Sequence, residues 1–352
     1  VNVLTVVASE SYERFVAGLQ SEIEDAYGIE GVPPKPADAR KRKTLKLRKH
    51  YLLKPEFKAL WDKIKHKTQY AVKVDSAKLI ADVVPELDKA TIRKPRVAIA
   101  KAEMRAAAKE DLFEAIVQSG ARTAIDLTGR YPLPNLVEIM ENLMENTSPP
   151  MRVSRRTLLE IFRRTKIRDA ALDNPHEFAT VAVGMTKAKL ADQLVDGIKY
   201  EKIDDWYDQT LFDQSEIIEA WKDYIVPSEE IGGVGGTHLW DGVPFESETE
   251  KAFAQDLEKR KDVKLYVKLP RWFEVATPIG NYKPDWAIVM VDPVSAENRL
   301  YLVRETKSTL DLDRLRPDEK RKILCGRSHF RGALQVDYKL VTQASQLPDG
   351  GV

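Results

Sequence analysis

Three charged side chains near the C-terminal end of the sequence could cooperate in one reaction. Asp285 immediately precedes an apolar run with β-branched residues, and a second such run ends shortly before Glu305. The segment between the runs is rich in turn-forming residues, so the pair is predicted to be a β-hairpin. If the hairpin is symmetric about Ser295, Asp285 lies opposite Glu305, with Cβ atoms about 4.5–5.5 Å apart. Lys307 follows Glu305 at period two and projects from the same face of the strand.

Such a group of charges suits metal-assisted phosphate chemistry. Two carboxylates this close repel each other unless a cation or a shared proton compensates them. Mg²⁺ prefers oxygen ligands, and a bound ion polarises a phosphate and lowers the pKa of an attacking water. Lys307 would position or deprotonate that water, or stabilise negative charge in the transition state. The alternative is a surface hairpin whose two acids and lysine are neighbours by chance.

The Pro284-Asp285 pair, followed by Glu305-Thr306-Lys307 on the partner strand, resembles the PD-(D/E)xK nuclease family. A more specific similarity, to the Res subunits of Type III restriction enzymes, spans nearly the whole chain. It is strongest from Val263 to Phe330, where the resemblance is to the C-terminal endonuclease domain of that subunit. The segments that carry it are Leu4–Tyr12, Leu60–Thr68, Asp196–Tyr200, Val267–Phe273, Thr277–Ala287, Arg304–Lys307 and Cys325–Phe330.

The resemblance implies an enzyme, a Type III site-specific deoxyribonuclease that hydrolyses DNA phosphodiester bonds with Mg²⁺. By this similarity Asp285 and Glu305 would be metal ligands. The backbone carbonyl of Thr306 would be a further ligand, and Lys307 would be the catalytic lysine.

The resemblance also implies a further acid on the first helix of the domain. Glu250 is favoured for this role ahead of Glu246. A second interpretation stays open, because Ser247 and Glu250 have capping-box spacing at the start of a predicted helix. In that case Glu250 does no more than stabilise the helix start.

The architecture implied is α/β, with a mainly helical spacer followed by a PD-(D/E)xK restriction-endonuclease-like α/β domain. Residues 1–30 would be the end of a second helicase-like motor domain, 31–230 the spacer and 237–352 the endonuclease domain. The partners would be double-stranded DNA and a Mod methyltransferase subunit. ATP would act only through motor domains that this chain does not include. Since the sequence opens at Val1 with a strand-like run, we expect it to be part of a longer protein.

Composition is that of a soluble globular protein. The 352 residues are 43% hydrophobic and 32% charged, and no apolar run approaches the length of a membrane span. Cys325 is the single cysteine, which excludes an internal disulfide and favours a reducing, cytoplasmic location. The net charge is only +1, so any contact with nucleic acid must come from local patches.

A basic stretch with interleaved aromatic residues lies between Arg40 and Lys67, which is typical of a surface that binds a nucleic-acid backbone. Its aromatic residues have a simpler explanation, because Phe57, Leu60 and Trp61 have the spacing of a buried helix stripe. The cations remain candidates for phosphate contact. The predicted DNA-binding residues are Arg40, Lys41, Arg42, Lys43, Lys46, Arg48 and Lys49.

Two other functions are considered. The first is a non-catalytic DNA- or protein-binding spacer module of a helicase-like protein, in which the hairpin acids are vestigial. The second is nucleotide binding at the glycine run 232–236, which lacks a following Lys-Ser/Thr and a preceding strand and is therefore predicted to be a linker.

The remaining pattern predicts further elements. The predicted helices are 101–119, 133–145, 155–164, 188–198, a helix after Ser247 and 317–326, and the predicted strands are 263–269, 272–277 and 338–341.

Overall fold

The structure is a computed structural model. It describes residues 42–94, 97–100, 122–125, 134–147, 149–214, 218–221, 225–231, 235–295 and 299–348. The predicted end of a motor domain at 1–30, the predicted helix at 101–119, and Arg40 and Lys41 lie outside these residues, as do the side chains of Arg42 and Lys43.

The described chain contains both strands and helices, so the predicted mixed α/β class is confirmed. The strands are β1 (Arg42–Leu45), β2 (His66–Ala71), β3 (Val97–Ala100), β4 (Arg122–Ile125), β5 (Lys199–Trp206), β6 (Ile218–Trp221), β7 (Ile225–Pro227), β8 (Gly242–Pro244), β9 (Val263–Lys268), β10 (Trp286–Val291), β11 (Arg299–Thr306) and β12 (Asp337–Val341). The α-helices are α1 (Lys49–Leu52), α2 (Pro55–Ile64), α3 (Ser76–Leu87), α4 (Leu136–Glu145), α5 (Arg155–Arg164), α6 (Ala170–Asp173), α7 (Pro175–Asp196), α8 (Leu211–Gln214), α9 (Glu248–Lys259) and α10 (Pro317–Arg327).

The chain divides into two compact units, here called the sheet unit and the helical unit. The helical unit is 74–193, and the sheet unit comprises the described residues up to 73 and from 194 onward. The helical unit is therefore an insertion in the sequence of the sheet unit. The predicted division into 1–30, 31–230 and 237–352 stays a prediction, since it cuts the chain at other positions.

The helical unit consists mainly of helices and also contains the β3–β4 ladder. Its helix starts are capped as the sequence suggests, since Asp75 accepts hydrogen bonds from two backbone N–H groups of α3 and Ser154 accepts one from Thr157. A shared apolar interior includes Leu79 and Val83 of α3 and is completed by Leu158 and Ile161 of α5.

The main element of the sheet unit is a four-stranded sheet in the order β12-β11-β10-β9. The pairs β9–β10 and β10–β11 are antiparallel, and β11 and β12 are parallel. Since parallel neighbours need a crossover connection, α10 occupies the segment between β11 and β12. The central strand β10 is buried on both faces, which explains its nearly unbroken apolar sequence.

Helices cover both faces of this sheet. On one face Trp286, Ile288 and Met290 of β10 belong to the same apolar cluster as Phe253 and Leu257 of α9. This alternation follows from the period of two residues along a strand.

On the other face, Ala287 and Val289 share an apolar cluster with residues from α2. The α2 residues Phe57, Leu60 and Trp61 are 1–4% exposed, which confirms that this part of the basic stretch carries a buried helix stripe.

One local prediction is wrong, and one element of the structure was not predicted. Residues 272–277, predicted as a strand, form a loop in which only Val275 makes an isolated bridge, to Tyr282. Phe273 is buried beside Trp61, and Trp272 also contacts Trp61. Both aromatic residues of the loop therefore pack against α2, whereas neighbours on a strand would point to opposite faces. The antiparallel ladder of β2 and β5, within the predicted helical spacer, was not predicted. In the part of the chain that the structure describes, no helix is both long and apolar enough to cross a membrane.

Candidate active site

The hairpin of β10 and β11 has the predicted register. Trp286 pairs with Arg304 and Val291 with Arg299, positions that are equally distant from Ser295. The strand pairing therefore ends where Asp285 and Glu305 follow as the next opposed positions. The turn-forming segment and the two apolar runs that flank it are local signals, which is why the sequence alone was sufficient to predict this register.

Asp285 is held by the strand opposite. Its Oδ2 accepts hydrogen bonds from the backbone N–H and from Oγ1 of Thr306, both at 2.7 Å. The Thr306 hydroxyl oxygen also accepts a hydrogen bond from Trp286 Nε1 at 3.1 Å. These contacts fix the carboxylate at the end of the hairpin.

Glu305 is 3% exposed and is oriented by a chain of two tyrosine hydroxyls. Tyr282 donates a hydrogen bond of 2.6 Å to Glu305 Oε2, and the hydroxyls of Tyr282 and Tyr338 are 2.7 Å apart. Burial and the charge of Glu305 raise the pKa of Tyr282 well above its ordinary value. This hydroxyl therefore stays protonated and donates a hydrogen bond to Glu305.

Lys307 lies between two acids. Its ammonium is 3.4 Å from Glu305 Oε1 and 3.4 Å from Glu319 Oε1, at the start of α10. Glu319 Oε2 in turn accepts a hydrogen bond from the backbone N–H of Arg316, which anchors the acid to the helix start. Lys307 is thus oriented by one carboxylate of the hairpin and one from the crossover helix.

Glu250 takes part in the predicted helix cap and also contacts a lysine of the sheet. Its backbone N–H donates to Ser247 Oγ at 3.2 Å, which is the predicted cap. Its carboxylate accepts a hydrogen bond from Glu246 N and forms an ion pair with Lys268 at the end of β9. The negative charge of Glu250 also acts on Asp285. Glu250 therefore caps α9 and lies within the electrostatic field of the acid cluster.

Glu246, the less favoured acid, has another partner. Its Oε1 is 3.1 Å from the guanidinium of Arg271, and about half of each side chain is exposed. Burial alone would raise the pKa of Glu246, but the charges of Lys268 and Arg271 lower it below its ordinary value. Glu246 is therefore an ion-pair partner at the rim of the cluster.

The electrostatics of the cluster show a deficit of positive charge. Burial raises the pKa of Asp285, and the charge of Glu250 raises it further. Burial and then Asp285 raise the pKa of Glu305 to about 8, although Lys307 acts in the opposite direction. Burial alone would lower the pKa of Lys307, but the carboxylates around it, Glu305 first, raise it above its ordinary value.

This donor set fits a hard divalent cation. Two carboxylates with raised pKa values and the carbonyl of the residue between Glu305 and Lys307 offer oxygen ligands that Mg²⁺ accepts together with water. Among the described residues, no three or more His, Cys, Asp or Glu side chains are grouped to hold a metal ion. The candidate set is of a different kind, since it consists of two carboxylates and a backbone carbonyl.

A comparison with protein families agrees with this geometry. The family model described as an endonuclease domain matches residues 236–344, which include α9, the four-stranded sheet and α10. The matched part of the chain is a restriction-type endonuclease domain. No curated protein and no solved structure matched the chain. An endonuclease domain is a hydrolase that acts on nucleic acid, and its restriction type indicates DNA cleavage.

Several residues around the acids of the endonuclease domain were missed by the sequence analysis. Tyr338, Glu319 and Lys268 belong to β12, α10 and β9, and each reaches the hairpin through tertiary contacts. Both lie in strands that contain further charged residues, so no local signal sets Tyr338 or Lys268 apart. Glu319 had a weak signal, as an acid in the first turn of a predicted helix.

Among the predicted DNA-binding residues, Arg48 has a clear role within the fold. Its guanidinium donates hydrogen bonds to the carbonyls of Ser228, Gly236 and His238 and to the Ser228 hydroxyl. Its donors are thus directed at the chain itself. The side chain of Lys46 is exposed, and so is that of Lys49.

Proposed function

We propose that this protein cleaves DNA by Mg²⁺-dependent hydrolysis at the cluster of Asp285, Glu305 and Lys307. The observation that carries the proposal is the pair of opposed carboxylates with raised pKa values at the end of one hairpin, inside the endonuclease domain. Glu305 is buried and Asp285 is half-buried. Strongly shifted pKa values cluster at functional sites.

The acids and the Thr306 carbonyl would hold the cation. Bound there, Mg²⁺ would polarise the scissile phosphate and acidify an attacking water. Asp285, anchored by Thr306, and Glu305, anchored by Tyr282, contribute fixed oxygen ligands that need little reorganisation.

Lys307 is proposed to act as a cation. In the metal-free protein the surrounding carboxylates raise its pKa above the ordinary value for lysine, so the ammonium is protonated at neutral pH. A protonated lysine cannot accept a proton from water, but it can orient the water and stabilise the charge that develops on the phosphate. Glu319 keeps the ammonium in place for this task.

The proposal is tested by metal-dependent cleavage of plasmid DNA. Asp285→Asn, Glu305→Gln and Lys307→Met should each reduce the rate by at least about 100-fold while circular dichroism shows an unchanged fold. Asp204→Asn, at an exposed position of β5, is the matched control and should cleave at the parent rate. If the three site variants also cleave at the parent rate, the cluster is vestigial and the chain is a DNA- or protein-binding module.

We further propose the Type III context. The resemblance in sequence supports a chain that works with a Mod methyltransferase and an ATP-driven motor in the cytoplasm. The sequence has no Gly-x-x-x-x-Gly-Lys-Ser/Thr phosphate loop. This chain alone should therefore cut DNA slowly, without ATP hydrolysis and without sequence preference. ATP turnover above a protein-free blank, or a reproducible motif at the cut sites, would contradict the assignment.

DNA affinity is proposed to come partly from the basic segment that begins at Arg40. Replacing Lys46 and Lys49 with Gln should lower the slope of log affinity against log salt by roughly 0.9 for each lysine–phosphate ion pair that the substitutions remove. Arg48→Gln is the contrasting variant. Because the Arg48 guanidinium donates to the carbonyls of Ser228, Gly236 and His238, its loss should lower the melting temperature more than the salt slope. An unchanged slope in Lys46→Gln/Lys49→Gln would show that these lysines do not contact DNA phosphates.

A further inference from the structure

Glu250 is committed to contacts that compete with a metal ion. Its Oε2 atom takes both the Lys268 ammonium and the backbone N–H of Glu246. The two side chains of the Lys268–Glu250 pair are only 16% and 12% exposed. An oxygen that already accepts two hydrogen bonds, one of them from a cation, is a poor candidate ligand for a second cation.

Lys268 is held in place from several sides. Its backbone N–H donates to His238 Nε2 at 3.1 Å, and its position in β9 pairs with Trp286 of β10. The ammonium lies 5.8 Å from the centre of the Trp286 ring, within the range of a cation–π contact. Its positive charge acts on Asp285 as well as on Glu250. Lys268 is therefore a fixed positive charge on the Glu250 side of Asp285.

Hydrolases that use two metal ions place the second ion to stabilise the oxygens of the displaced group. Such an ion is held by one or two carboxylates together with water and phosphate. In this protein Glu250 is the acid of α9 whose charge acts on Asp285, and the Lys268 ammonium already contacts its Oε2 atom. A second divalent ion would have to displace Lys268 from an enclosed position.

We propose that the active site takes one divalent cation, at Asp285, Glu305 and the Thr306 carbonyl, and that Lys268 supplies the positive charge where a second cation would otherwise bind. This inference rests on the proposed function. Lys268 is a positioning and charge-supplying residue for the scissile phosphate, and Glu250 holds its ammonium in place.

A purely structural role for the Lys268–Glu250 pair makes a different prediction. A buried ion pair that only ties α9 to β9 can be replaced by apolar residues with little loss of stability, and the number of bound metal ions does not change. Metal stoichiometry therefore separates the two roles, and it does so without measuring activity.

The test is titration of the full chain with Mn²⁺, with bound ions counted by electron paramagnetic resonance and by calorimetry. The parent protein should bind one Mn²⁺. Lys268→Met should bind a second, weaker Mn²⁺ because Glu250 is released, and the double variant Lys268→Met/Glu250→Gln should return to one. Lys264→Met, an exposed lysine on the same strand, is the matched control and should bind one.

Cleavage gives a second readout. Lys268→Met should lose about 100-fold in rate at low Mn²⁺ and recover part of it as the second ion binds. Lys268→Arg keeps the charge, so it should retain one ion and restore part of the cleavage that Lys268→Met loses at low Mn²⁺. It also serves as the folded test variant if Lys268→Met does not fold.

Each outcome has a definite meaning. Two ions in the parent protein would overturn the assignment of Lys268 while leaving the proposed nuclease function intact. A single ion in folded Lys268→Met, or a second ion in Lys268→Arg, would overturn it as well. A parent protein that binds no Mn²⁺ and does not cut DNA would instead overturn the proposed function, and this inference with it.

Discussion

At the scale of single residues, the site combines acids that destabilise the metal-free fold with neighbours that orient them. Glu305 loses hydration on burial and faces Asp285, so its proton is held up to a pH of about 8. Tyr282 and Lys307 hold the carboxylate in one orientation but do not remove this cost. A bound cation would supply the missing charge, which links metal binding to proton release.

The raised pKa of Glu305 predicts how stability depends on pH. Its carboxyl titrates near pH 4.5 when unfolded and near pH 8 when folded, so the folded state binds the extra proton between these values. Stability of the metal-free protein should therefore fall as the pH rises from about 5 to 8.

Glu305→Gln should remove most of this fall and raise the melting temperature at pH 8 by on the order of 5 °C, with no gain at pH 5. Melting scans in chelator across this pH range measure it. Glu201→Gln, an exposed control on β5, should follow the parent curve. Parallel curves for the parent and Glu305→Gln would show that Glu305 is not the titrating group.

The tyrosine pair predicts a graded effect on metal binding. Tyr282→Phe removes the hydroxyl that contacts Glu305, and second neighbours of this kind typically change metal affinity by about 10–100-fold. Tyr338→Phe removes only the hydroxyl behind it, so its effect should be smaller. Mn²⁺ affinity of both folded variants is the measurement. No effect in either variant would mean that the tyrosines serve packing alone, and equal effects would contradict the predicted order.

At the scale of elements, α10 controls the site through its close approach to the sheet. Gly326 of α10 lies against the ring of Tyr282, and a Cβ atom there would come within 3.1 Å of ring atoms Cδ1 and Cζ and closer still to Cε1. Because Gly326 has no side chain, α10 can lie directly against the Tyr282 ring while the Tyr282 hydroxyl contacts Glu305. The same helix brings Glu319 to Lys307.

Gly326→Ala should consequently displace Tyr282 and impair both stability and catalysis. Overpacking of this kind costs about 1–3 kcal/mol. We expect a lower melting temperature and weaker Mn²⁺ binding. Gly332→Ala is the matched control, because a Cβ atom there meets nothing within 4 Å. Equal melting and metal binding in the two variants would contradict this role of Gly326.

At the scale of the whole molecule, the endonuclease domain depends on chain that lies outside the family match. Phe57, Leu60 and Trp61 of α2 share an apolar cluster with Val267 of β9 and Val289 of β10. The described residues within 42–73 and 194–235 thus belong to the same compact unit as those within the matched range 236–344. Without α2, one face of the sheet would expose apolar side chains to water.

A truncation tests this dependence. A protein of residues 236–348 should bind hydrophobic dyes and melt without a cooperative transition, whereas the full chain should melt cooperatively. The variant Trp61→Ala in the full chain should be destabilised by about 3–5 kcal/mol, since it removes a buried aromatic side chain. A cooperative and soluble truncated domain would show that α2 is dispensable.

The sequence by itself determined the parts of the site that depend on neighbouring residues. Turn formers and two apolar runs predicted the hairpin, its symmetry about Ser295 placed Asp285 across from Glu305, and a period of two placed Lys307 on the same face. The cap of Ser247 on α9 and the buried stripe of α2 were predicted for the same reason. In each case, residues a few positions apart in sequence settle the local geometry.

Only the tertiary structure decided what surrounds those acids. Tyr338, Glu319 and Lys268 reach the hairpin from three separate elements, and no spacing along the chain specifies such contacts. It also showed that Arg48 bonds to its own chain, and that residues 272–277 anchor α2 and do not form a strand. These outcomes depend on which surfaces pack together, since burial changes both the partners of a charge and the energy of keeping it ionised.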